Sequence, residues 1–103
     1  MTQMFNPPHP GEILSDWIEG IRIMDFAEAI GVTRVTLSRI LNGHASVTPD
    51  IAIRLEEALG TSREMWTGLQ SSFDLWKEAQ KPNRVHVVPV RRPEIGVLEL
   101  VGA

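Results

Sequence analysis

The chain has 103 residues, a net charge of −3, 43% hydrophobic residues and no cysteine. That length gives one small domain with a single core, and the apolar content excludes a disordered chain. Without cysteine there is no disulfide framework and no thiolate metal site, which fits a reducing cytoplasm; no apolar run is long enough to span a bilayer, and the N-terminus lacks a basic-then-apolar signal pattern.

Met1–His9 reads as a loose arm, because Pro7 and Pro8 disfavour helix. Pro10 and Gly11 lead into a first helix over about Glu12–Glu19, with Ile13, Leu14, Trp17 and Ile18 as its apolar stripe. At that spacing Trp17 reads as core. Glu12, Asp16 and Glu19 recur at intervals of four and three and share the opposite face.

A second helix is expected from near Asp25, where Asp25 and Glu28 have capping-box spacing. Gly31 ends it, since glycine reaches positive φ without a Cβ clash. Val32 fills the corner, and Thr33 caps a third helix in which Leu37, Ile40 and Leu41 form one apolar stripe. Asn42-Gly43 stops it.

The free face of that third helix is the informative one. Thr33, Arg34, Val35, Thr36, Ser38 and Arg39 lie on or beside it, and His44 follows in the loop. Arginine can pair bidentately with guanine, and hydroxyls reach bases or phosphates, so the face suits the major groove of double-stranded DNA. Val35 has two readings, a thymine-methyl contact or a plain exposed valine. His44 reads as a phosphate contact or surface rather than a metal ligand, because His9, His44 and His86 lack ligand spacing. The rival reading of the whole stretch is an ordinary two-helix corner. The net negative charge argues mildly against DNA, but distribution matters more. From Ala29 to Pro49 there are two arginines and no acid, and from Lys81 to Pro93 four cations and no acid.

Thr48 caps a fourth helix with Pro49 at its first position, and Ile51, Ala52, Leu55 and Leu59 face inward up to Gly60. Thr61 and Glu64 form a capping box for a fifth helix running to about Gln80. Met65, Trp66, Leu69, Phe73 and Trp76 mark its apolar side. Either this stripe closes the core, or Phe73 and Trp76 extend past it into a partner; the second reading is favoured. Arg84–Val90 and Ile95–Val101 look β-type, with Pro89 restricting the first to an edge. Two strands alone are marginal, so they need a partner.

Four blocks then carry a resemblance. They are His9-Pro10-Gly11-Glu12-Ile13-Leu14; Gly31-Val32-Thr33 with Ser38-Arg39-Ile40-Leu41-Asn42-Gly43; Thr48-Pro49, Arg54-Leu55 and Ala58-Leu59-Gly60-Thr61; and Met65-Trp66, Leu69-Gln70 and Phe73-Asp74-Leu75. Together they resemble the HigA-type antitoxins, a branch of the Cro/cI-like helix-turn-helix proteins. Met65 stands where that family usually has Phe, and Phe73 where it often has Tyr; the tail after Lys81 matches no family pattern. The resemblance implies an all-α fold of five helices, a homodimer on a palindromic operator, repression of its own operon, and neutralisation of a HigB-type mRNA-cleaving toxin of the RelE-like class.

The expected organisation is a DNA-binding unit over residues 1–80 and a β-type tail over 81–103 for dimer or partner contact. Phe73, Trp76, Val85, Val87 and Val88 are the candidate dimer seam. RelE-like toxins are basic because they bind RNA, so Glu12, Asp16 and Glu19 are candidates for the toxin face, with Glu56, Glu57 and Glu64 as a second patch. A free-standing regulator without a toxin is the alternative. No nucleophile–base pair, phosphate loop or metal set supports an enzyme, and no cofactor is implied.

Overall fold

The structure is a computed structural model and describes residues 6–91. Among these it contains five helices: α1 (Pro10–Trp17), α2 (Ile23–Ile30), α3 (Arg34–Leu41), α4 (Pro49–Leu59) and α5 (Arg63–Ala79). One core joins them, built from Leu14 and Ile18, from Phe26, Ala27 and Ile30, from Leu37 and Ile40, and from Val47, Ile51, Ala52, Leu55 and Trp66. Trp66 is its largest fully buried side chain. α3 packs on both α1 and α2, while α5 closes against α4 and α1. α3 is thereby held from behind by two other helices.

The starts of α1 and α2 lie upstream of the sequence expectation. α1 begins at Pro10, and His9 is buried instead of lying in a loose arm. Its Nδ1 accepts from the Gly11 N–H at 2.9 Å, so an imidazole does what Ser or Asp usually does at a helix start. Met1–Phe5 lies outside the described residues. Glu12 and Asp16 are exposed on α1, but Glu19 falls in the turn beyond its end.

Trp17 is a correction. It is 49% exposed, not core. Leu14 and Ile18, one turn apart, occupy the centre of the buried face; the neighbouring row of Ile13 and Trp17 falls on its rim. The four-residue stripe is wider than the surface α1 meets.

α2 starts at Ile23 behind Arg22, and no side chain caps it. Asp25 therefore does not form the expected capping box; its carboxylate pairs with Arg22 Nε at 3.1 Å. The box at Thr61 fails for a different reason. Thr61 is buried and its hydroxyl accepts the Trp66 indole N–H at 2.6 Å. Ser62, one residue on, caps the Met65 N–H at 3.0 Å instead. The core claimed the first hydroxyl and left the second for the helix end.

Arg84–Val90 is not a strand. Val85, Val87, Val88 and Val90 are almost fully exposed, and no described segment pairs with them. A β-prone sequence without a partner has no ladder to join. Ile95–Val101 lies outside the described residues.

His9 makes stability depend on pH. Burial pushes its pKa below the ordinary 6.5, against the opposing pull of Asp74 and Glu12 and with a smaller push from Lys77. The unfolded chain then takes up the proton first as pH falls, so the His9 contribution is complete above about pH 6.5 and declines below it. Protonated Nδ1 also cannot accept from Gly11. Thermal melts should therefore show a larger drop between pH 7.5 and 5 for the wild type than for His9→Asn, which can cap without titrating. Equal drops would assign the pH dependence to other groups. The cap itself is worth about 1 kcal/mol.

Candidate nucleic-acid interface

The turn between α2 and α3 is set by local chemistry. Gly31 adopts φ 75° and ψ 33°, and the Val32 N–H reaches back to the Ala27 carbonyl at 3.0 Å. This closes the helix end in the left-handed manner that favours glycine. Thr33 Oγ1 then accepts the Thr36 N–H at 3.0 Å and donates to the Thr36 hydroxyl at 2.9 Å.

Arg54 of α4, seen in the sequence only as part of a block, locks this turn. Its Nη1 donates to the carbonyls of Ile30 and Gly31 at 2.9 and 3.0 Å, and its Nε to Asp50 at 3.1 Å. A cation thus sits on the open carbonyl end of α2, where the helix dipole favours it. Arg54→Ala should cost about 1–2 kcal/mol in denaturant unfolding, from the loss of charged hydrogen bonds at a half-buried site. Arg54→Lys should recover less than half, because an ammonium lacks the planar fork that spans carbonyls and carboxylate together. Full recovery by lysine would mean that only charge matters there.

α3 presents Arg34, Val35, Thr36 and Arg39 to solvent, with Ser38 half-buried at the edge. Val35 is 66% exposed and Leu37 and Ile40 are buried, as the spacing predicts. Arg34 makes no ion pair among the described residues, though it shares a shallow depression with Asp25 and Glu28 of α2. Arg39 is not free. Its Nη2 donates to the His44 carbonyl at 3.0 Å, while the His44 N–H returns to the Arg39 carbonyl at 2.7 Å. The Ser38 hydroxyl accepts from Asn42 at 3.4 Å. The His44 side chain is exposed, and no metal-binding cluster occurs among the described residues.

The loop after α3 is pinned from far along the chain. Gln70 of α5 is buried; its Oε1 accepts the Val47 N–H at 2.7 Å and its Nε2 donates to Asp74 at 2.9 Å. Sequence reading missed Gln70 and Arg54 because each acts on a backbone group more than twenty residues away, and His9 because histidine is not among the usual capping residues.

The proposed seam residues are not gathered in one place. Phe73 is half-buried with its ring edge-on to His9, 4.9 Å between centroids, and Trp76 lies 6.2 Å beyond. Val85 and Val87 line a separate groove with Glu78 and Lys81. Of the acidic candidates, Glu56 is engaged by Arg63 at 2.6 Å, which holds its carboxyl below the usual range.

Comparison with known proteins places this architecture. The helix-turn-helix family model matches residues 19–66. The HTH-type transcriptional regulator YddM of Escherichia coli K12 is 35% identical over 87% of this chain and 95% of its own length. Antitoxin HigA-1 of Vibrio cholerae is 41% identical over 68% of this chain and 69% of its own. The structure of the Pseudomonas aeruginosa antitoxin HigA with the higBA promoter superposes with a TM-score of 0.65 at 35% identity, covering 69% of this chain and 80% of that one. The chain belongs to the helix-turn-helix family, in the branch that holds the HigA antitoxins.

Proposed function

We propose that the protein is a sequence-specific DNA-binding antitoxin that represses its own operon and neutralises a HigB-type mRNA-cleaving toxin. The observation that carries the DNA half is the exposed face of α3. It has two arginines and two hydroxyls, no acid, and is buttressed by α1, α2 and the Arg54 clamp. Arg39 and Thr36 read base edges; Thr33, Arg34, Ser38 and His44 hold phosphates and fix the register. The relatives' names support both halves: HigA-1 of Vibrio cholerae is named an antitoxin, and the Pseudomonas aeruginosa antitoxin HigA structure contains the higBA promoter. Glu12, Asp16 and Glu19 are our candidates for the toxin contact.

One recognition helix makes too few contacts for tight binding, so the protein acts as a homodimer on a palindromic operator. Its two copies of α3 lie about 34 Å apart, one DNA turn. Phe73 and Trp76 of α5, with Val85, Val87 and Val88 of the segment after it, are our candidates for two separate parts of the seam. Sedimentation should show a dimer at micromolar concentration, and a monomer there would remove the seam.

The test of the whole reading has two arms. A gel shift with the DNA upstream of the gene should show a discrete complex, weakened by salt. Co-expression with a neighbouring small basic protein should give a stable complex and rescue growth. A shift without any such partner would leave a free-standing regulator.

A further inference from the structure

The apolar surface at the α1–α2 corner has no use in the reading above. Trp17 is 49% exposed, Ile21 46% and Met24 65%, although the core residues Ile18 and Phe26 flank this stretch of chain. The corner is short and ordered: the Ile21 N–H donates to the Ile18 carbonyl at 2.9 Å, and Gly20 turns the chain at φ 87°. A half-exposed tryptophan with two large aliphatic neighbours is the composition of an interface anchor.

The charge around it selects the occupant. Between Glu12 and Glu28 the chain carries Glu12, Asp16, Glu19, Asp25 and Glu28, all exposed, against the single cation Arg22. Arg22 is already paired with Asp25. Glu12, Asp16 and Glu19, the carboxylates of α1 and the turn after it, repel a phosphate backbone, so the α1 side of the corner is not a DNA surface. A second copy meeting it two-fold would set these same acids against themselves, so the corner is not the dimer seam. What remains is a protein with an apolar pocket inside a basic rim.

We propose that the Trp17–Ile21–Met24 corner is the anchor on which the basic RNA-cleaving toxin docks, with Glu12, Asp16 and Glu19 as its polar rim. The inference rests on the toxin half of the proposed function. It adds that the contact energy comes from apolar burial at the corner, while the acids set encounter rate and orientation. This leaves α3 free, so one molecule can hold toxin and DNA together.

The test uses the full chain and the purified toxin of the neighbouring gene, inactivated in its nuclease site, in titration calorimetry and stopped-flow. Trp17→Ser and Ile21→Asp should each weaken toxin binding about thirtyfold or more, through faster dissociation. Glu19→Lys should instead slow association and reduce its salt dependence. Operator affinity and melting temperature should stay close to wild type; Ile21→Asp, in the turn between α1 and α2, serves if Trp17→Ser folds poorly. Wild-type binding that survives both apolar substitutions overturns the corner and leaves the toxin partnership standing. A wild-type protein that does not bind the toxin overturns both. Loss of the dimer in either variant would also overturn the assignment, since the corner would then be the seam.

Discussion

Gly11→Ala should be among the most damaging single-methyl changes in this chain, costing about 3 kcal/mol or more in unfolding and broadening or abolishing the operator complex. Gly11 is buried in the first turn of α1. A Cβ at this position would sit 2.0 Å from the Ile40 carbonyl oxygen and 3.0 Å from its carbon. No rotamer relieves that contact, because both partners are backbone or the first atom of a side chain. Either α1 moves off α3 or the last turn of α3 deforms. The second outcome also displaces Arg39, which lies one residue before Ile40. Gly20→Ala is the matched control: a methyl there meets nothing within 4 Å, and its penalty comes from positive φ alone. Chevron or equilibrium denaturation of the two variants would separate the causes. If Gly11→Ala costs no more than Gly20→Ala, α1 and α3 are not packed as closely as described.

That contact shows what could be read from the sequence and what could not. Gly31, Thr33, Thr48-Pro49 and Gly60 were legible because each solves a local problem, the end of a helix, with chemistry carried by the residue itself. The buried row of α3 was legible for the same reason, since Leu37 and Ile40 follow helical period. Errors arose where another side chain competed for the same atom or where the helix began elsewhere. Thr61 has a perfect capping spacing, yet the Trp66 indole takes its hydroxyl. Asp25 has capping spacing, but α2 starts two residues upstream, so Asp25 lies inside the helix and pairs with Arg22. Trp17 has core periodicity, but the width of the facing surface decides which row is covered, and periodicity carries no information on width. The exposed face of α3 was legible as a set of residues. That Arg39 is tied back to the His44 carbonyl depends on the path of the loop after α3, and that Gln70 holds the same loop by Val47 depends on segments brought together only by folding.

The tether on Arg39 shapes the second large effect. Arg39→Ala should lower operator affinity by about 1–3 kcal/mol and relax preference at one base pair, with little change elsewhere in the site. Arginine has five N–H donors, and one of its Nη2 protons is spent on His44. The remaining donors are enough for a bidentate contact with guanine O6 and N7. The tether limits how the guanidinium plane can turn, so less side-chain freedom is lost on binding. Arg39→Lys tests this directly. It keeps the charge and therefore most of the salt-dependent, sequence-independent affinity, but loses both the fork and the fixed plane. Its affinity for random DNA should stay near wild type while discrimination at the one base pair falls as far as in Arg39→Ala. Arg34→Ala should do the reverse, weakening all sequences alike and reducing the salt slope by about 1. Binding curves on operator and scrambled DNA across a salt series distinguish the two patterns. If Arg39→Ala leaves affinity and base preference intact, the exposed face of α3 is not what reads the operator.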